Sequence, residues 1–361
     1  VRFINDHTST LRHEFDTKLD ALKIQVNEHT GTHHKAGTIY VTNTKSKTEG
    51  VETPDSSGAT LIDVVHQLIT KTTDPIESSF MKGVSKLKAL LVGDEIPWVI
   101  ESVQDFRREL EKVEANSLEI WEALIHILVN DSSNIYDETI VKVLRGLSHE
   151  YKAVSGTMYN YPAEGLRFLP LAVCMYIVFV VGIEYKKYDL LRKALNLTLK
   201  TSDHYKEIRP ISACLHEVRQ VAYFMDRFHP TEGKTWCDGF GKYVKGKLSS
   251  LISSNDLDDF EVSFTIGEFV LCLSPLEKLQ DGIKSSPYPS NGNYLYESDS
   301  RHILKRVLKS QPSILHKIYG SELDGIMELF DANAAKVKKG SCFGDGFTEG
   351  LTKLIKGNLT M

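Results

Sequence analysis

The chain has 361 residues, 41% hydrophobic and 25% charged, with 43 Lys plus Arg against 48 Asp plus Glu and a net charge of −5. These are the proportions of an ordinary soluble globular protein and exclude disorder along the whole chain. The near-neutral balance argues against a generally basic nucleic-acid binder while leaving room for one local basic face, and the length allows about two domains that need neither disulfides nor metals to hold a core.

Residues 6–29 read as an amphipathic helix. Asp6 can cap it, and Leu11, Phe15, Leu19 (or Lys18), Leu22 and Val26 recur at helical steps. Such a narrow apolar stripe fits a helix packed on its own domain, or a short coiled coil that makes an oligomer through Leu11, Phe15, Leu22 and Val26. Residues 30–60 turn to Thr, Ser, Gly, Lys and His and read as a polar linker, with a small β-hairpin around Ile39-Tyr40-Val41 as the alternative. No apolar h-region interrupts residues 1–30, so no signal peptide is expected. The sequence opens on Val1, so either the initiator Met has been removed or the sequence is a piece of a longer chain whose other part could carry an activity.

From Leu61 onward the apolar spacing is helical, in segments near 61–72, 76–92, 95–113, 117–130, 137–154, 164–183, 187–201, 207–228, 236–253, 258–273, 299–309, 312–319, 321–338 and 347–356. Asp74-Pro75 and Ser310-Gln311-Pro312 are helix-start signals. The expectation is a mainly α fold, an irregular helical bundle or α-solenoid-like array, with no detectable fixed repeat. It divides into a main helical domain over 61–280, a Gly- and Pro-rich loop over 281–298 and a C-terminal helical subdomain over 299–361. The loop could display Tyr288 and Tyr294.

The longest apolar run, Phe168–Ile183, is 16 residues broken only by Pro170 and Gly182. It would reach about 24 Å, short of the roughly 30 Å hydrocarbon core of a bilayer, so a buried central helix is expected rather than a membrane span. Pro170 should fall in its first turn, and Arg167 at the edge of the core.

Motifs that could carry chemistry are incomplete. Gly233-Lys234-Thr235 matches the end of a phosphate-binding loop, but Phe228 stands where the first glycine is needed and a helical pattern precedes it, so a helix-to-helix turn is expected. His29, His33 and His34 with Glu28 form the densest histidine cluster, but Gly31 breaks the helix that would align them, and a solvated loop is the better reading than a metal site. Asp256, Asp258, Asp259 and Glu261 suit the start of a helix better than a cation site. Cys174, Cys214, Cys237, Cys272 and Cys342 are far apart and never form a Cys-x-x-Cys pair, as expected of reduced thiols in a cytoplasmic protein. No cofactor is expected.

Lys82–Lys88, Arg301–Lys309 and Lys336–Lys339 are basic patches on amphipathic helices. Arg301, His302, Lys305, Arg306 and Lys309 fall on one helical face and are the first choice for a surface that contacts nucleic-acid phosphates.

Three stretches have a familiar order: Asp94-Glu95-Ile96-Pro97-Trp98-Val99, read as a helix start; Gly165-Leu166-Arg167-Phe168-Leu169-Pro170-Leu171, leading into an apolar helix with Tyr176 and Gly182; and Tyr188-Asp189-Leu190-Leu191. With residues 258–261, Asn293-Tyr294-Leu295 and Leu329-Phe330-Asp331, this order resembles the helical C-terminal region of some large prokaryotic proteins associated with antiphage defence, over residues 85–340. The resemblance implies a sensing or assembly module that follows a separate effector or nucleotide-binding domain, and it carries over no catalytic residue. The expected function is a non-catalytic interaction or sensor protein that binds a protein partner or itself. A nucleic-acid binder using the basic face, or an enzyme whose site is assembled from scattered residues, is the alternative.

Overall fold

The computed structural model describes residues 73–148, 161–199, 210–219, 238–252, 257, 259–274, 278–279, 282–283, 298–311 and 313–329, all within the unit Ser56–Met361. The segments 6–29 and 30–60 lie outside the described residues.

Helix α1 (Thr73–Val92) carries Pro75 in its first turn, where a missing N–H removes no helical bond. Its stripe of Ile76, Phe80, Val84, Leu87 and Leu91 is buried. Two helices were expected over 95–113 and 117–130; instead residues 93–102 are a loop and one continuous helix, α2 (Val103–Asn130), follows. Two local causes account for the difference. Pro97 disfavours helical backbone at Ile96. The helix starts at Ser102, whose hydroxyl accepts the Asp105 N–H at 3.0 Å and donates to the Asp105 carboxylate at 2.6 Å. Between the two expected segments, Asn116 donates its amide to the Lys112 carbonyl at 2.8 Å and the helix runs on unbroken.

Helix α3 (Asp137–Leu147) packs on α1. Helix α4 (Tyr161–Glu184) is the centre of the described fold, with every residue from 165 to 183 buried. Around it stand α2, α3, α5 (Tyr188–Leu195), α6 (Cys214–Arg219), α7 (Asp238–Leu251) and α8 (Phe260–Leu273). One helix shared by so many neighbours makes a bundle. In a solenoid each unit would meet only the next.

Pro170 lies well inside α4 rather than in its first turn, because the helix begins at Tyr161. As the apolar run continues N-terminally through Ala163 and Leu166, the stretch Pro162–Glu184 is long and apolar enough to cross a membrane, yet all of its apolar window is buried inside the protein. Gly182 lets α5 fold back on it, since a Cβ there would sit 2.7 Å from Leu191.

A two-residue antiparallel pair, β1 (Lys278–Leu279) with β2 (Gly282–Ile283), precedes α9 (Ser298–Ser310), which packs on α8. Ser310, expected to open a helix, is instead the last residue of α9. α10 (Ile314–Tyr319) packs on α5, and a 3-10 turn (Gly320–Glu322) leads to a helical run over 323–329. Leu304, Ile318 and Ile326 join the same apolar core as Phe80 and Phe179, so the helices after residue 298 share the core of those before it. The fold is mainly α.

Candidate functional site

On α9, Ser300, Leu304, Val307 and Leu308 are buried against the body, while His302, Lys305, Arg306 and Lys309 are exposed. Helical geometry puts these four within an arc of about 100° on the side away from the core. Arg301 belongs to the same helix. The stripe expected from the spacing is therefore a solvent-facing basic surface, of the kind that meets an anionic partner.

The remaining sequence candidates divide sharply. Leu11, Phe15, Leu22 and Val26, the histidine cluster 29–34, Gly233-Lys234-Thr235, Tyr288, Tyr294, Asp256 and Asp258 lie outside the described residues. Asp259 caps α8 by accepting the Val262 N–H at 3.1 Å, and Glu261 in the first turn pairs with Lys245 at 2.8 Å. Cys174 and Cys214 are buried free thiols, and burial pushes the Cys174 thiol up, far from reactive thiolate character. Among the described residues, no three of His, Cys, Asp and Glu gather as a metal site.

The structure adds two polar centres that the spacing did not reveal. The first is Arg167, expected at the core edge but fully buried. Its guanidinium donates to the carbonyls of Leu91 at 3.0 Å, Ile96 at 2.6 Å, Ala163 at 2.8 Å and Pro97 at 3.4 Å, and lies 3.6 Å over the Trp98 ring. The 93–102 loop is thus wrapped round one side chain. A planar five-donor fork suits this position because its N–H groups diverge in one plane while its face stays free for an aromatic ring.

The second centre joins two turns. α2 ends in Asp131, whose carboxylate accepts the N–H groups of Ser133 at 3.1 Å, Ile135 at 3.2 Å and Tyr136 at 2.9 Å, closing the α2–α3 turn with Asn134 left-handed at φ 58°. α4 ends in a Schellman motif: the Lys187 N–H reaches the Gly182 carbonyl at 2.8 Å and the Lys186 N–H the Ile183 carbonyl at 3.1 Å, with Lys186 at φ 55°. This motif aims the next side chain inward. The Lys187 ammonium, buried, donates to the Asp131 carbonyl at 2.5 Å and the Asn134 side chain at 2.9 Å, and lies 3.9 Å from the Asp131 carboxylate.

Asp137, the first residue of α3, is only 6% exposed beside them, and its Oδ1 has no hydrogen-bond partner. Burial pushes its carboxyl above the usual aspartate range, against the pull of Lys187 and Lys193.

Polar ties also fix the outer helices. Glu114 of α2 accepts from the Tyr243 hydroxyl at 2.5 Å and the Lys247 ammonium at 2.7 Å, binding α7. Burial, reinforced by the Glu114 charge, pushes the Tyr243 phenol well up. Arg192 of α5 donates to the Lys317 carbonyl at 2.5 Å and the Ile318 carbonyl at 3.4 Å, capping α10. The Tyr319 hydroxyl donates to the Val270 carbonyl of α8. These are structural hydrogen bonds to backbone and between helices. The chain matches no family model, no curated protein and no solved structure.

Proposed function

We propose that the chain is a non-catalytic helical interaction or sensor module, which recognises a protein partner through helix faces and loops and associates with itself through Leu11, Phe15, Leu22 and Val26. The observation that carries this reading is the use made of the charged side chains that tie the helices together. Buried Arg167, Lys187 and Asp131, with half-buried Glu114 and exposed Arg192, hold loops, turns and helix ends in place, which makes a rigid frame whose outward faces are left for recognition. The resemblance over residues 85–340 adds a role in sensing or assembly, with antiphage defence as the setting and the cytoplasm as the place.

Sedimentation of the full chain tests this. An assembly larger than one chain is expected, dispersed in a Phe15→Asp, Leu22→Asp variant, with no nucleotide turnover. A monomer in both, or nucleotide hydrolysis that Lys234→Ala abolishes, overturns it.

The exposed stripe of α9 favours a second reading, binding of nucleic acid through His302, Lys305, Arg306 and Lys309. Affinity for a DNA or RNA duplex should then fall steeply with salt, and a Lys305→Glu, Arg306→Glu variant should lose it. No binding at low salt removes this reading.

A further inference from the structure

Where the α2–α3 and α4–α5 turns touch, the buried Lys187 ammonium lies 3.9 Å from the buried Asp131 carboxylate, and a second buried carboxylate, Asp137, feels the charge of both. Two of these groups are well supplied with partners, since Asp131 accepts three backbone N–H groups and Lys187 donates to a carbonyl and to a side-chain amide. Asp137 comes off worst. It is as buried as the other two, yet one of its oxygens faces no donor. An ionised carboxylate in that condition is costly, since no protein donor replaces the hydration lost at that oxygen. The neutral acid loses much less on burial.

We propose that this joint is a proton-responsive brace, in which uptake of one proton by Asp137 neutralises an incompletely partnered buried carboxylate and so stabilises the folded arrangement of the α2–α3 and α4–α5 turns. The charged groups that face Asp137 come from several elements: Lys187 from the α4–α5 turn, Lys193 from α5, Asp131 from the α2–α3 turn, and Glu138 from α3 itself. Lys193 is engaged with Glu138 at 2.6 Å, and the charge that α1 brings to this helix, Glu77, is held by Lys142 at 2.6 Å. Lys187 is therefore the main counter-charge within the joint, and Asp131 draws on it too.

The sign follows from the raised carboxyl. Below the ordinary aspartate value of about 3.9 the group is neutral whether the chain is folded or not. As pH rises through the folded-state value, the folded protein must accept a buried charge that the unfolded chain carries in water, so stability is lost on going up in pH. Lys187 leads directly into α5, whose Arg192 is hydrogen-bonded to the end of α10, so the brace lies between the central helix and the helix that holds α10.

The full chain, labelled with carboxyl-13C aspartate, tests the proposal by NMR titration together with thermal unfolding across the same pH range, beside an Asp137→Asn variant. The expected result is an Asp137 midpoint above the ordinary value, and a wild-type Tm that falls progressively behind that of the variant as pH rises through that midpoint. A midpoint at or below the ordinary value, or a Tm difference that does not change with pH, overturns it. Should the variant fail to fold, the titration of the unaltered chain, assigned through its backbone connectivity, decides alone.

Discussion

Arg167 brings a full positive charge into an interior made of Leu, Val, Ile and Phe, and it is tolerated there because four carbonyls and an indole face surround it. One of those carbonyls, Leu91, belongs to the last turn of α1, where no helical N–H is left to satisfy it. Replacing Arg167 with Met would keep much of the bulk and leave these acceptors buried without their donors. Each such group costs about 1–3 kcal/mol, so a loss of about 3 kcal/mol or more is expected in urea unfolding of Arg167→Met. Arg167→Lys should recover only part, because one ammonium cannot reach four carbonyls and offers no flat face to Trp98. Equal stability of the Met variant and the wild type would show that the clamp is dispensable.

Helix-to-helix distances depend on small residues placed where two backbones meet. In α8 a Cβ at Gly267 would lie 3.1 Å from the Val180 nitrogen and 3.2 Å from the Phe179 carbonyl carbon of α4, atoms that cannot turn aside as a side chain can. Gly246 in α7 has the same residue type and open space around it. The same substitution should therefore act in opposite directions. Gly267→Ala is expected to lower stability by about 1–3 kcal/mol through forced separation of α4 and α8, outweighing its gain in helix propensity. Gly246→Ala is expected to raise it by about 0.5–1 kcal/mol, since only the propensity changes. Denaturant midpoints of the two variants check both signs, and a stabilised Gly267→Ala would contradict the close approach.

At this scale the sequence was legible wherever a local rule acts alone. The helical periods of Phe80, Val84 and Leu87, the cap at Asp259 and the basic stripe of α9 all follow from spacing. It was misleading where a long-range partner decides. Asp94 to Val99 reads as a helix start, but Pro97 and the reach of Arg167, some seventy residues away in sequence, make it a loop. Lys187 looks like one more surface lysine after an apolar run. Only the Schellman turn that ends α4 shows that its side chain points inward, onto a turn more than fifty residues earlier.

Across the whole described part, one apolar core runs from Ile76 in α1 through α4 to Ile318 in α10 and Met327. A protein of this size often unfolds through intermediates. Here no helix has a core of its own: α9 leans on α8 and α10 on α5, and α8 and α5 both pack on the central helix α4. Removing apolar contact at one end should then be felt at the other. Leu315 in α10 is 1% exposed, so Leu315→Ala is expected to cost about 2–5 kcal/mol. In a Trp236→Phe background the fluorescence comes from Trp98 and Trp121, both buried among α1, α2 and α4, far along the chain from the substitution. If the core is shared, the Trp emission midpoint in urea and the far-ultraviolet circular dichroism midpoint should fall together, by the same amount, and remain coincident. A variant in which circular dichroism is lost in two steps while the Trp midpoint stays where it was would mean that the C-terminal helices unfold independently and that the core is divided.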